Sequence, residues 1–261
     1  MIWIVFLAVG VAAGLISGLL GVGGGTVVVP VLVIVLSATT HVPANLVIKV
    51  AVATSFLSMV FTTLNSVRTH HIRGTVRWSL VYKMLPGLLI GTFMGGMMVH
   101  LGDSYWLQRL FAIFTLGIGI NMLIPRPAHT LEKTGFNSRL FHTTSLTIGT
   151  LSGLFGIGGG TFNVPNLHKR GLGMIQSIAT SAAAGWPIAI MGALTLTINQ
   201  PNQPIPQSFG YIYLPAFVGM TITSVVFSGL GAKLAYQLPT PLLKKIFAIF
   251  LVLVGLRMLT G

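Results

Sequence analysis

Seven apolar runs, near residues 2 to 20, 44 to 66, 78 to 99, 107 to 124, 174 to 198, 211 to 232 and 242 to 259, dominate the chain. Each approaches or exceeds the roughly 20 residues that carry an α-helix across the hydrocarbon of a bilayer. The apolar positions are continuous instead of alternating with polar ones, which argues against a membrane barrel. Only 7% of the 261 residues are charged, against about a quarter in a soluble domain. The expectation is an all-α, polytopic membrane protein whose first partner is the lipid bilayer. The opening stretch "MIWIVFLAVGVAAGLISGLL" lacks a basic leading region and an obvious small-residue cleavage site, so it is expected to belong to the fold.

The charges that remain are lopsided. Fifteen Lys and Arg stand against Asp103 and Glu132, a bias that cytoplasmic loops of membrane proteins explain without a nucleic-acid partner. Neither acid falls inside an apolar run, so a cation site built from intramembrane carboxylates has no candidates. There are no cysteines, and the seven histidines show no convincing ligand spacing, so no metal or cofactor is expected. His70 and His71 read as part of a solvated basic loop. No nucleophile, base and orienting group assemble, and a carboxylate pair is ruled out by count, so the chain does not read as an enzyme.

The chain repeats itself. "GLLGVGGGTVVVP" at 18 to 30 returns as "GLFGIGGGTFNVP", and residues 14 to 30 share eleven of seventeen identities with 149 to 165. "LQRLFAIFTLGIGINML" pairs with "LLKKIFAIFLVLVGLRML", and "ATS" at 53 to 55 and 179 to 181 and "LP" at 85 to 86 and 214 to 215 fall between those anchors. Two copies of one unit follow, 1–125 and 138–261, joined by a polar cytoplasmic linker at 126–137. If each glycine segment forms a hairpin, each copy crosses three more times and the second copy is inverted. Arg68, Arg73, Arg77, Arg126, Lys133, Arg139, Lys169, Arg170, Lys233, Lys244 and Lys245 then lie on one side, eleven of fifteen basic residues. If the glycine segments span instead, those charges split six and five and the positive-inside rule has no grip. Inverted-topology repeats, each a glycine-broken helical hairpin plus three transmembrane helices, are therefore expected.

Broken backbone is not tolerated against lipid, so each break is expected inside the protein or lining a cavity. Thr26 and Thr161 read as N-caps of the helix that follows, and Pro30 and Pro165 as first-turn prolines whose missing amide costs little. Each break then presents a helix N-terminus at membrane depth, with free amides and about half a positive charge. Two such ends facing each other could hold an anion without a cationic side chain. Gly14, Gly18 and Gly21 read better as helix-packing glycines. Gly23, Gly24 and Gly25 and their partners Gly158, Gly159 and Gly160 read as substrate-binding, because three successive glycines would destabilise a packed helix by about 1 kcal/mol each. "GVGGGT" lacks the Lys of a P-loop and the flanks of a dinucleotide fold.

Thr54, Ser55, Thr180 and Ser181, the hydroxyls of the two "ATS" copies, are candidate anion donors, with bonding to their own helix as the plain alternative. Lys49 either snorkels to the interface or attracts anions at a cavity mouth. Asn163, Asn166 and Trp186 lie near the second break and could line the site, a core role being the better reading of the tryptophan.

The duplicated glycine motif, each copy followed by "ATS" on the next helix, resembles the sulfite exporter TauE/SafE family of permeases over essentially the whole chain. Ala53 stands where a glycine often precedes that Thr-Ser pair. The resemblance implies a multi-pass protein of the bacterial inner membrane, a secondary transporter or facilitator of sulfite, sulfonates or similar small oxyanions. An anion channel using the same site and a non-transporting membrane scaffold are the alternatives. Oligomeric state is not readable from the sequence.

Overall fold

The computed structural model describes residues 2–21, 23–39, 42–124, 138–237 and 240–260. The expected linker, with Arg126, Glu132 and Lys133, lies outside them. The helices among the described residues are α1 (Ile2–Leu20), α2 (Gly25–Thr39), α3 (Val47–Ile72), α4 (Trp78–Leu101), α5 (Ser104–Leu123), α6 (Ser138–Phe155), α7 (Gly160–Lys169), α8 (Met174–Ile198), α9 (Leu214–Leu234) and α10 (Thr240–Thr260). A two-stranded hairpin, β1 (Ser208–Phe209) and β2 (Ile212–Tyr213), pairs Ser208 with Tyr213 just ahead of α9. Six helices, α1, α3, α4, α5, α8 and α9, are long and apolar enough to cross a membrane. The protein is an all-α polytopic membrane protein. Ile90, Phe93, Met94, Ile113, Ile222, Val226 and Leu253 face outward, the side chains a lipid environment accepts and water does not.

The packing repeats on exchanging α1–α5 with α6–α10. Helix α1 packs on α9 as α6 packs on α4; α3 meets α9 as α8 meets α4; α2 lies on α3 as α7 lies on α8. Two further pairs, α3 with α8 and α5 with α10, are their own counterparts. Small residues set the closest of these approaches. A Cβ on Gly14 would stand 2.5 Å from the Ser224 carbonyl oxygen, and one on Gly149 2.5 Å from that of Leu88. Gly18 and Gly153 meet the Ser228 and Thr92 carbonyls in the same way. Gly14 and Gly18 are packing glycines, as expected, in the small-residue mode that lets membrane helices pack backbone to backbone.

Helix α3 is the most enclosed, and it runs past residue 66, where the apolar stretch ends, to Ile72. Its last turns are polar because they bond to a neighbour. Thr62 Oγ1 lies 2.7 Å from Ser224 Oγ, and Asn65 Nδ2 donates to the Val225 carbonyl at 2.6 Å. One expected equivalence fails: Leu214 and Pro215 open α9, whereas Pro86 lies inside α4, so the two "LP" pairs are not counterparts. Helices α4 and α9 nevertheless correspond and run in opposite directions. His100 in the last turn of α4 lies beside Tyr211 just ahead of α9 (Nδ1 to Oη, 3.2 Å), and Tyr236 just beyond α9 lies beside Thr75 just ahead of α4 (Oη to Oγ1, 2.9 Å).

Candidate functional site

The two breaks have nearly the same backbone. Gly21 and Gly156 take φ of 65° and 63°, and Gly24 and Gly159 take 74° and 72°, values open to glycine and strained for other residues. Gly23 adds a third positive φ of 83° that Gly158 lacks. Gly21, expected as a packing residue within α1, therefore belongs to the break. Gly159 is the N-cap of α7, its carbonyl accepting from the amides of Phe162 (3.0 Å) and Asn163 (2.7 Å). Gly24 does the same for Val27 (3.0 Å) and Val28 (3.1 Å).

Two expectations change as a result. Thr26 and Thr161 sit second in their helices, not at the cap, because a left-handed glycine already turns the chain there. Pro30 and Pro165 lie past the first turn, inside α2 and α7. Each therefore removes a helical bond to the carbonyl four residues earlier, that of Thr26 or Thr161, at a cost of about 3 kcal/mol.

The breaks meet, but not across a space. A Cβ on Gly23 would lie 3.0 Å from Gly158 Cα and 2.8 Å from Met59 Cε, and one on Gly25 would strike the Gly156 carbonyl and lie 2.9 Å from Met59 Sδ. Much of what the glycines permit is the close approach of one break to the other. Gly24 faces Ala13, whose carbonyl oxygen would be 2.9 Å from an added Cβ, and Gly160, the first residue of α7, is buried.

The "ATS" hydroxyls stitch the halves together. Ser55 Oγ donates to the Gly156 carbonyl at 3.0 Å, and Ser181 Oγ to the Gly21 carbonyl at 3.4 Å. Thr54 Oγ1 accepts from the Tyr213 amide at 3.0 Å, and Thr180 Oγ1 from the Arg77 amide at 3.1 Å. Tyr213 and Arg77 are the N-cap residues of α9 and α4, so each threonine satisfies backbone at a helix start of the opposite half. All four hydroxyls are fully buried.

Lys49 Nζ donates to the His100 carbonyl at 2.8 Å, in the last turn of α4, where a cation complements the helix dipole. It sits in neither break. His70, expected in a solvated loop, is fully buried in the last turn of α3 with Nδ1 2.9 Å from Tyr236 Oη, because α3 continues where a loop was read. His71 is exposed and accepts from Trp78 Nε1 at 3.1 Å. Trp186 is 38% exposed, so it neither fills the core nor lines the breaks from within. Burial pushes the phenols of Tyr211 and Tyr213, in the hairpin ahead of α9, up.

Around the breaks, buried polar atoms go without partners. Of the seven described residues that carry such an atom, five are on the breaks and their flanking helices: Ser17, Thr26, Thr161, Asn163 and Asn166. Ser66 and His70, on α3, are the others. Asn163 leaves both Nδ2 and Oδ1 unpaired while fully enclosed, and Asn166 leaves Nδ2 unpaired while its Oδ1 accepts from Arg170 Nε at 3.1 Å. The amides of Gly160 and Thr161 also have no backbone acceptor among the described residues. Such groups each cost about 1 to 3 kcal/mol when left unmet. Ser17 was not singled out in the sequence. Its recurrence as Ser152, one turn before each break, was the available signal.

Membrane-crossing helices enclose the two breaks and the unmet polar groups gathered there, and the likenesses that follow make the chain a membrane transporter. The chain belongs to the sulfite exporter TauE/SafE family, which it matches over residues 6–258. It is 35% identical over 254 residues to a probable membrane transporter protein of Haemophilus influenzae, covering 97% of this chain and 96% of that one. A probable membrane transporter protein of Methanocaldococcus jannaschii is 27% identical over 96% of this chain and 93% of its own, and YunE of Bacillus subtilis, named likewise, is 25% identical over 99% and 98%. No solved structure matches the chain significantly.

Proposed function

We propose that the protein carries a small sulfur-containing oxyanion, such as sulfite or a sulfonate, across a bacterial inner membrane by alternating access between two inverted repeats. The observation that carries this reading is the set of unpartnered buried groups on the breaks. Thr26, Thr161 and Asn163, with the free first-turn amides of α7, are donors awaiting an acceptor-rich solute. A helix N-terminus adds its partial positive charge, which acts strongly in a medium of low dielectric. Gly23, Gly24, Gly25, Gly158, Gly159 and Gly160 let the backbone reach that solute once the breaks part. Thr54, Ser55, Thr180 and Ser181 hold the two half-sites in register. The opposite run of α4 and α9 and the exchange symmetry of the packing support inversion of the second repeat, 138–261, relative to the first, 1–125. The grouping of basic residues supports a cytoplasmic linker.

The test uses Thr26→Val and Thr161→Val, which delete a hydroxyl without changing shape. In purified protein, sulfite and simple sulfonates raise the melting temperature of the parent chain, since a ligand that binds only the folded state stabilises it. In the double variant the unliganded melting temperature holds or rises, while the anion-induced rise and flux into liposomes fall by roughly tenfold. Undiminished flux in the double variant overturns the assignment.

A further inference from the structure

The breaks are not equivalent where it matters to a ligand. Asn163 corresponds to Val28 and Asn166 to Val31, so the second half places amides where the first places valines. Val28 is buried and needs nothing more. Asn163 is equally enclosed and needs partners at both ends of its amide, yet has none among the described residues. Its Nδ2 lies over the cap of α7, 3.0 Å from where a Cβ on Gly159 would be, with Ser152 Oγ 3.2 Å from the same point. Ser152 gives its one hydroxyl proton to the Ile148 carbonyl, so it has none to offer Asn163 Oδ1. The side-chain amide therefore stands over the start of α7 with neither of its polar atoms bonded among the described residues.

The chemistry of that set is specific. Backbone amides and Nδ2 only donate, and they suit the oxygens of an anion. Oδ1 only accepts, and a fully deprotonated oxyanion has nothing to give it. Oxygen would face oxygen, and Oδ1 would stay unmet. Resting on the anion-site reading above, we infer that Asn163 is a specificity-determining residue selecting anions that also carry a hydrogen-bond donor: a hydroxyl, an ammonium or the proton of a singly protonated oxyanion. The first break, lined by Val28 and Val31, meets the remainder of the solute without discrimination.

The experiment compares near-isosteric probes by thermal shift on the purified full chain. Propane-1-sulfonate is set against 2-hydroxyethanesulfonate and 2-aminoethanesulfonate, and methanesulfonate against hydrogensulfite at one mildly acid pH. The first group tests a donor on the organic arm, and the last pair a donor on the oxyanion itself. In the parent protein the donor-bearing member of at least one set binds roughly three- to tenfold more tightly, the yield of one added hydrogen bond. Asn163→Val, which copies the first half, and Asn163→Leu, which keeps the branched skeleton with apolar tips, erase that difference. Asn163→Val keeps or raises the unliganded melting temperature, because it removes two unmet buried atoms. A structural role for Asn163 would instead lower it. The inference is overturned if donor-bearing probes bind no better than their isosteres, or if the preference survives both variants. If no probe shifts the parent protein at all, the anion-site reading falls and takes this inference with it.

Discussion

Ser55 Oγ and the carbonyl oxygen of Gly156 are joined at 3.0 Å across 101 residues of sequence, and Ser181 returns the bond to Gly21 at 3.4 Å. In each case a hydroxyl on the central helix of one half satisfies the first left-handed glycine of the other. Positive φ turns that carbonyl out of its helix, and in a bilayer no water is present to receive it.

The shorter stitch contributes more. Ser55→Ala is expected to lower unfolding free energy by about 1 to 2 kcal/mol, and Ser181→Ala by less, on the order of 0.5 to 1 kcal/mol. Chemical denaturation in detergent measures both. Equal and negligible losses would show that these bonds are ornamental.

Glycines in the breaks and elsewhere separate by environment. Gly24→Ala and Gly159→Ala are each expected to cost about 2 kcal/mol or more, because φ is positive and the new Cβ would stand 2.9 Å from Ala13 O and Ile188 Cδ1 respectively. Gly117→Ala, where an added Cβ meets nothing within 4 Å in the middle of α5, should instead stabilise by about 0.5 to 1 kcal/mol. Melting temperatures of the three variants check the contrast, which also makes Gly24 and Gly159 poor probes of transport alone.

Bulk on the α4 and α6 seam is expected to prevent folding. Gly91 and Gly95 press against the Leu146 and Thr150 carbonyls, so Gly91→Leu or Gly95→Leu drives a side chain into backbone. Monodisperse protein on size exclusion from either variant would contradict this packing.

Tyr236 Oη sits 2.9 Å from both His70 Nδ1 and Thr75 Oγ1, with the Arg73 guanidinium 4.0 Å above the ring. Tyr236→Phe keeps the ring and its cation–π contact but strips the hydroxyl. The expected loss is about 1 to 3 kcal/mol, since the buried His70 Nδ1 then loses its partner. Hydrogen exchange at the end of α3 should accelerate in that variant and not in Tyr82→Phe.

The glycine motif announced the breaks because three adjacent glycines have no place in a packed helix, and the matched φ pairs at Gly21 with Gly156 and Gly24 with Gly159 bear that out. What the motif could not say was what the glycines approach. At Gly23 and Gly25 the neighbour is the other break, a contact set by how two distant segments meet. The "ATS" hydroxyls stood out as matched positions through their repetition, but their bond partners at Gly21, Arg77, Gly156 and Tyr213 lie far away in sequence. The end of α3 was misread at His70 because polar side chains that bond to α9 look like a loop when α9 is not in view. The "LP" match misled for a local reason: a dipeptide is short enough to recur by chance, and the true counterparts are the helix starts at Arg77 and Tyr213. Asn163 was picked out by its nearness to the second break, while its isolation from any partner required the folded chain.

Because every stitch between "ATS" and the helix starts or bends runs from one half to the other, neither half finishes its own geometry. Each is the mould for its twin. Produced as two separate polypeptides cut within 126–137, the halves would be insoluble or degraded singly and would survive only when made together, a mutual dependence that also fixes their ratio at one to one.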